Sequence, residues 1–530
     1  MVQKIFVLYW GHVFFLSVCV FAAGAWFIAS KRCLPASTFA LAGLSGIDFR
    51  KLGLIAVGAI PLIALGHMAF YLAMPTYADY SEPLMALLGE NVRSGGPVYA
   101  DWSAGRAIIG SNYGPYVFLA QAASFRLLGD SIFVSKISGM LFAIFGLSVF
   151  FQTIRYRVSK HEAFIFVGVL IALFSYHLHY WFWNRPEPVI VALVVVGLFA
   201  FDRMNSAICL SILGLLAGAL SNLKLFAPIY LLPVAVACVV QLGFSTKLLV
   251  SAAVGGVLFA ATVMFPFLLG PFEAKSYVAN ILLMRKQGLE GFSVLHSLFF
   301  GALIVAMPAI VFARAKRERG EVASGAALVV CIVVTAILSG KPGGGSLYMA
   351  PFALLALYFT ARMWTRIPAS DQRLLRGLRK AYLVTVVICA SPIWAYSWYQ
   401  IGKQIPAFAT EQAKKAELRA LFLQNPDAQM GHGLDENSEF LRVEKAFLRQ
   451  PIIFDYVNFG DQRAAGLGAE VIYPLLEGCR VPAWVFSREG GHFVGSAYGV
   501  KMFDEGVRER FSSNYRLVNI ANYYEVWKCR

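Results

Sequence analysis

The sequence is poor in charge. Of its 530 residues, 14% are Asp, Glu, Lys or Arg, while 58% are hydrophobic. An ordinary soluble domain is nearer a quarter charged and half apolar. So large an apolar surplus cannot be hidden in one water-soluble core, which excludes an ordinary soluble enzyme and also a disordered or collagen-like chain. Other absences narrow the chemistry. The eight cysteines form no Cys-x-x-Cys pair, and there is no Walker loop, no His-Glu-x-x-His and no Gly-x-Ser-x-Gly. Dithiol redox, P-loop nucleotide, zincin and α/β-hydrolase chemistry therefore have no foothold. His177 and His179 sit among Tyr176, Tyr180, Trp181 and Trp183. An aromatic belt at a membrane interface accounts for that cluster, and i,i+2 spacing puts the two rings on different helix faces. Internal repeats, low-complexity stretches and lipidation motifs are also missing.

What is present in quantity is long apolar runs. A bilayer is crossed by roughly 17–25 apolar residues, and runs of that kind centre on 5–29, 52–74, 131–151, 162–181, 187–202, 207–222, 225–241, 248–269, 295–313, 323–339, 347–363 and 381–400. The fold class predicted is a polytopic α-helical membrane protein of about 12 transmembrane helices. The segments 187–202 and 207–222 are short, so one of them is expected to be re-entrant or broken. Nearly all of the net charge of +16 falls in alternate loops, including Arg314–Arg319 and Arg373–Lys380. That is the distribution of cytoplasmic loops rather than of a nucleic-acid-binding face. The first run, followed by Lys31 and Arg32, is expected to be a retained anchor with its N-terminus outside. The expected division is a membrane domain over 1–400 and a small soluble α/β domain over 401–530, on the periplasmic side of a bacterial inner membrane.

The outer segments carry the chemistry. A loop over 75–130 opens with Asp79-Tyr-Ser-Glu82 directly after a span, and its stretches at 84–93 and 116–128 are expected to be interfacial helices. Ionisable groups at membrane depth are costly and point to function. Arg185-Pro-Glu187, Lys224 and Lys341-Pro-Gly-Gly-Gly-Ser-Leu-Tyr348 map to the same side. Each has a bland reading too: Arg185 snorkelling, Glu187 pairing with it, Lys224 anchoring at the interface. Gly343–Gly345 would let backbone amides approach a phosphate. Cations that repel one another would converge only around an anion, so convergence would favour a phosphate site. In the tail, 411–423 and 499–510 are predicted helical. Segments 451–457 and 483–486 are predicted as buried strands, and 515–521 with 523–529 as a terminal strand pair. Cys479 and Cys529 alone among the cysteines fall in this outer, oxidising tail, and a disulfide between them is expected.

The order Asp79-Tyr-Ser-Glu82, Gly96-Pro-Val-Tyr99-x-Asp101, Asn112-Tyr113-x-Pro115-Tyr116 and Phe125-x-Leu-Leu-Gly129 resembles the first outer loop of GT-C class glycosyltransferases. These polyprenyl-phosphate-sugar-dependent enzymes are relatives of the protein mannosyltransferases and the lipid A aminoarabinose transferases. Arg185-Pro-Glu187, Lys224, the stretch from Lys341 to Pro351 and the final Tyr-Glu-Val-Trp resemble their later motifs. The resemblance departs from the pattern in having its two acids three residues apart rather than adjacent, and in an extra span before the acidic loop.

The resemblance implies an inverting hexosyl or pentosyl transferase. Asp79 or Glu82 is the base that takes the proton of an acceptor hydroxyl. Arg185, Lys224 and Lys341, with Tyr348 as a hydrogen-bond donor, receive the departing polyprenyl phosphate, and Glu187 supports them. The implied partners are a lipid-linked sugar donor, a glycan, lipid or protein acceptor, and the bilayer. Some members of the family use a divalent metal. Asp79, Glu82 and Glu187 are the candidate oxygen donors, but with no dense acidic cluster the expectation is no cofactor and no metal. A transporter or flippase for a lipid-linked or anionic substrate explains the spans equally well. It explains the acidic outer loop and the tail poorly, as does a membrane scaffold.

Overall fold

A computed structural model of the chain describes residues 49–100, 107–173, 181–316, 318–368, 402–432 and 440–530, with 371, 398 and 399 as isolated positions. Helices occupy the predicted spans from 52–74 to 347–363: Phe49–Ala73, Ile132–Arg155, Lys160–Leu173, Pro186–Arg203, Ser206–Ser221, Leu232–Leu242, Thr246–Met264, Gly291–Arg314, Arg319–Leu338 and Ala350–Trp364. Predicted span 5–29, nearly all of 381–400, and Asp101, His177 and His179 lie outside the described residues.

Among the described residues five helices are long and apolar enough to cross a membrane, and shorter apolar helices stand beside them. Leu249 and Val257 on helix Thr246–Met264 are 70% and 69% exposed, which suits contact with lipid tails and not with water. The expected break between 187 and 222 is absent, since Pro186–Arg203 and Ser206–Ser221 are both continuous. It falls in the following segment, where the 3-10 turn Ala227–Leu231 precedes helix Leu232–Leu242. Pro228 and Pro233 lack the N–H groups that a continuous α ladder needs there.

The loop after helix Phe49–Ala73 supplies helices Glu82–Arg93 and Pro115–Leu128. The first was expected to lie in the membrane interface, but residues Glu82 to Glu90 are all buried. Tail and loop cover it instead. Phe447 packs against Phe125 at 5.5 Å between ring centroids, and Ile108 bridges Phe454, with the Ile108 amide donating to Ile453 at 2.7 Å.

The tail contains a four-stranded sheet in the order β1 (Gln429–Met430), β2 (Ala483–Ser487), β6 (Tyr524–Cys529), β5 (Tyr515–Ile520), and a separate hairpin of β3 (Ser496–Ala497) and β4 (Val500–Lys501). Strands β2, β5 and β6 stand where the pattern placed them, as does helix Phe408–Gln424. Two expectations fail. Segment 451–457 is no ladder strand, because Asp455 accepts from the Asn458 amide and starts helix Tyr456–Ala464. Segment 499–510 is helical only from Glu505, after Asp504 caps the Val507 amide at 2.9 Å. In both, a side-chain carboxylate satisfies an orphan N–H and fixes the helix start. Cys479 is disulfide-bonded to Cys529, with Cα atoms 5.7 Å apart.

Candidate active site

The end of helix Phe49–Ala73 sets the geometry. Buried Lys136, reaching across from helix Ile132–Arg155, donates to the carbonyls of Tyr71 at 2.8 Å, Met74 at 3.0 Å and Thr76 at 2.7 Å. A cation thus satisfies carbonyls that a helix end leaves unpaired. The chain then turns through Asp79. Asp79 Oδ1 accepts from the Ser81 amide at 2.9 Å and from the Ser81 hydroxyl, a local turn that acids favour.

Glu82 closes the turn from the other side. It is fully buried. One oxygen accepts from the amides of Ala78 at 2.8 Å and Asp79 at 3.0 Å. The other accepts from Tyr71 Oη and from the Asn184 amide at 3.0 Å. Burial, the leading effect, raises the Glu82 pKa, while the Tyr71 hydrogen bond and the Lys136 charge oppose it. Glu82 therefore ties the Asp79 turn to residue 184, next to Arg185, and both of its oxygens are taken up by hydrogen bonds.

Arg185 caps helix Pro186–Arg203 in an extended conformation, with Pro186 in the first turn, a position that suits proline. Glu187 follows in the same turn, where the helix dipole favours an acid. Arg185 Nη1 lies 3.3 Å from Asp79 Oδ1, and its Nε 3.5 Å from Glu187 Oε2. Arg185 Nη2 donates to Tyr113 Oη at 2.6 Å. Lys224 donates to Glu187 Oε1 at 2.6 Å and stands 4.3 Å from the centre of the Tyr348 ring. Tyr113 reaches this cluster because Gly114 lets the loop touch residue 222: a Cβ there would come within 2.4 Å of the Asn222 carbonyl oxygen.

The result is a chain of alternating charge, Asp79, Arg185, Glu187, Lys224, drawn from three separate segments between helices. Convergence of cations was expected to signal a bound anion. Here Glu187 is that anion, so the pairing of Arg185 with Lys224 needs no ligand to explain it. Asp79 differs from both neighbouring acids. Its side chain is 17% exposed, and its Oδ2 accepts no hydrogen bond from the described residues.

Lys341 stands apart. Its ammonium lies 3.4 Å from the Met284 carbonyl. The glycine run after it serves the fold: the Gly344 amide donates back to Lys341 at 2.8 Å. Gly343, at φ +75°, makes room for Tyr498, whose hydroxyl would meet a Cβ there at 2.9 Å. Tyr498 and Asp461 were not singled out from the sequence. Both come from the tail: Tyr498 Oη donates to Asp461 Oδ1 at 3.0 Å and lies 3.2 Å from Tyr80 Oη. Asp461 Oδ2 accepts from Asn112 at 3.2 Å. No local motif marks Asp461. The pair Tyr498-Gly499 between two short polar-apolar stretches is a hairpin signal, masked by the helical character of residues 505–510. Among the described residues, no group of three or more His, Cys, Asp and Glu side chains is placed to hold a metal ion.

No protein-family model matches the sequence, and no curated protein matches it. In overall structure the chain is similar to solved structures of ArnT. ArnT from Cupriavidus metallidurans bound to undecaprenyl phosphate aligns with a TM-score of 0.53 at 14% identity, covering 90% of this chain and 97% of that one. The apo state of ArnT aligns with a TM-score of 0.53 at 15% identity, covering 89% and 98%. The likeness spans the membrane helices and the tail alike, and it is a likeness of fold.

Proposed function

We propose that this chain is an inverting glycosyltransferase that moves a hexose or pentose from a polyprenyl-phosphate donor to an acceptor hydroxyl at the outer face of a bacterial inner membrane. The observation that carries the reading is Asp79. One of its oxygens is held by Ser81 and Arg185, the other accepts no hydrogen bond from the described residues, and Arg185 is linked through Glu187 to a second cation, Lys224. A general base needs that arrangement: oriented, and with a lone pair for the incoming proton. The fold shared with ArnT, whose solved structure holds undecaprenyl phosphate, supports the donor class.

Asp79 Oδ2 takes the proton of the acceptor hydroxyl as that oxygen attacks the anomeric carbon. The bond from that carbon to the phosphate oxygen breaks, and its electron pair leaves on the polyprenyl phosphate. Arg185 and Lys224 stabilise the charge that develops there. Tyr348 lies beneath Lys224, and Lys341, whose ammonium stands apart at the Met284 carbonyl, would have to swing toward the donor to take part. Glu187 holds the two cations in place. Glu82 braces the turn and takes no proton from the acceptor. The reaction requires no metal and no organic cofactor. The acceptor is a glycan, lipid or protein hydroxyl.

The test is to give purified protein a labelled lipid-linked sugar and measure free polyprenyl phosphate. The wild type releases it. Asp79→Asn keeps donor binding and loses about 10²–10⁴-fold in turnover, the usual effect of removing a general base. Full turnover in Asp79→Asn overturns the assignment. A donor that crosses the bilayer with its sugar–phosphate bond intact marks a flippase instead.

A further inference from the structure

The tail places a third carboxylate against the site, and the charges already present do not need it. Asp79 and Glu187 balance Arg185 and Lys224, whereas Asp461 has no cation within ion-pair distance among the described residues. Its two hydrogen-bond donors, Asn112 and Tyr498, are neutral. Its main chain is fixed as well, the Asp461 carbonyl accepting from Gln287 Nε2 at 3.0 Å. It lies near enough to feel the charge of Arg185, and its partner Tyr498 touches Tyr80, the chain neighbour of Asp79.

Tyr498 sits at a backbone cost. With Gly499 it forms the two-residue link between β3 and β4, at φ +52° and +80°. Positive φ at both central positions is the habit of a turn that favours Asn-Gly, and a tyrosine takes it only against the clash between its Cβ and the backbone. The tyrosine hydroxyl nonetheless lands where Tyr80, Gly343 and Asp461 meet.

An in-line displacement puts the sugar ring between the base and the leaving phosphate. The row Tyr80, Tyr498, Asp461, Asn112 begins one residue from Asp79 and ends one residue from Tyr113, the partner of Arg185. It therefore links the segment that carries Asp79 to the segment that carries Tyr113. A carboxylate there would repel the phosphate, so it does not serve the lipid end of the donor. It suits hydroxyl groups, whose protons a carboxylate accepts and the Tyr498 oxygen can accept as well. We propose that Asp461 and Tyr498 bind hydroxyls of the transferred sugar, making the tail the part of the chain that selects the sugar. This rests on the transferase reading above and deepens it.

The test compares two probes on purified full-length protein: polyprenyl phosphate, and a panel of polyprenyl-phosphate hexoses and pentoses. Asp461→Ala and Tyr498→Phe are expected to raise the Kd of the preferred sugar-bearing lipid by about 10-fold or more, the scale of a lost hydrogen bond to a charged group. They flatten the preference among sugars, and leave the Kd of polyprenyl phosphate within about twofold. Lys224→Ala weakens both probes. Asp461→Asn, which keeps size and shape, guards against misfolding: it shows the same split between probes, with an unfolding temperature no lower than that of the wild type. Equal loss of both probes, or no change in sugar preference, overturns the proposal and leaves the transferase reading standing. A wild type that binds neither probe overturns both.

Discussion

At Glu82 four donors converge on one carboxylate, three of them backbone amides. Replacing it by Gln sets an amide NH₂ against N–H groups and strands at least one buried donor, at about 1–3 kcal/mol. Glu82→Gln should therefore lower the unfolding temperature while turnover per folded molecule falls far less than in Asp79→Asn. Activity assays normalised to folded protein check this, and the reverse pattern would move the base to Glu82. Glu187 has a different vulnerability. Removing its charge leaves Arg185 and Lys224 buried and facing one another, and a buried pair broken on one side typically costs about 3–5 kcal/mol. Glu187→Gln should be strongly destabilising, and adding Lys224→Ala should cost less than the sum of the two single changes. A double-mutant cycle of thermal unfolding measures that coupling.

Asp461 gives a pH signature. Burial pushes its pKa up to about 7, with Asp455 adding to the rise and Tyr498 and Arg185 opposing it; Tyr80 also faces the group through Tyr498. A carboxyl raised on folding keeps its proton in the native state after the unfolded chain has released it. Its contribution to stability is complete below the ordinary carboxylate pKa, falls as pH rises toward about 7, and is flat above. Asp461→Asn removes that slope. The variant should gain stability relative to the wild type between pH 5 and pH 8, read as the difference in unfolding temperature.

At the scale of elements, the tail sheet ends in a staple. Strand β6 lies between β2 and β5, and Cys529 at its end is bonded to Cys479, 50 positions earlier, just ahead of β2. The chain-entropy model gives about 4 kcal/mol for a loop of that length, less any strain. Cys529→Ser should lower the stability of the tail toward that amount, and mass spectrometry of non-reduced, alkylated protein should find both thiols protected in the wild type. The sheet itself was legible because strand alternation is a local pattern. The starts of helices Tyr456–Ala464 and Glu505–Asn514 were misread because single side chains, Asp455 and Asp504, fix them against the surrounding hydrophobic pattern.

At the scale of the molecule, the tail is knitted into the outer loop through Ile108, Phe125 and Asn112, and so into the wall of the site. That requires tail and acidic loop to share one side of the membrane. In spheroplasts, a cysteine replacing exposed Lys501 should react with an impermeant maleimide, and one replacing Lys316 only after permeabilisation. The opposite labelling would reverse the proposed orientation.

Hydropathy and charge along the chain were enough to mark the apolar helices among the described residues, the loops where the charge falls, and the set of loop residues from which the Asp79–Lys224 chain is drawn. Both quantities are sums over neighbours in sequence, so a linear reading recovers them. Which acid is open could be learned only from the folded chain. Asp79 and Glu82 are near neighbours of the same chemical kind, and their difference comes from Tyr71, Asn184 and Arg185, the last two more than 100 positions away. Folding also made Glu187 the counter-ion between the two cations, and brought Asp461 to the site at all. A carboxylate's role is set by the donors, charges and water around it, and those arrive from segments whose meeting no local pattern encodes.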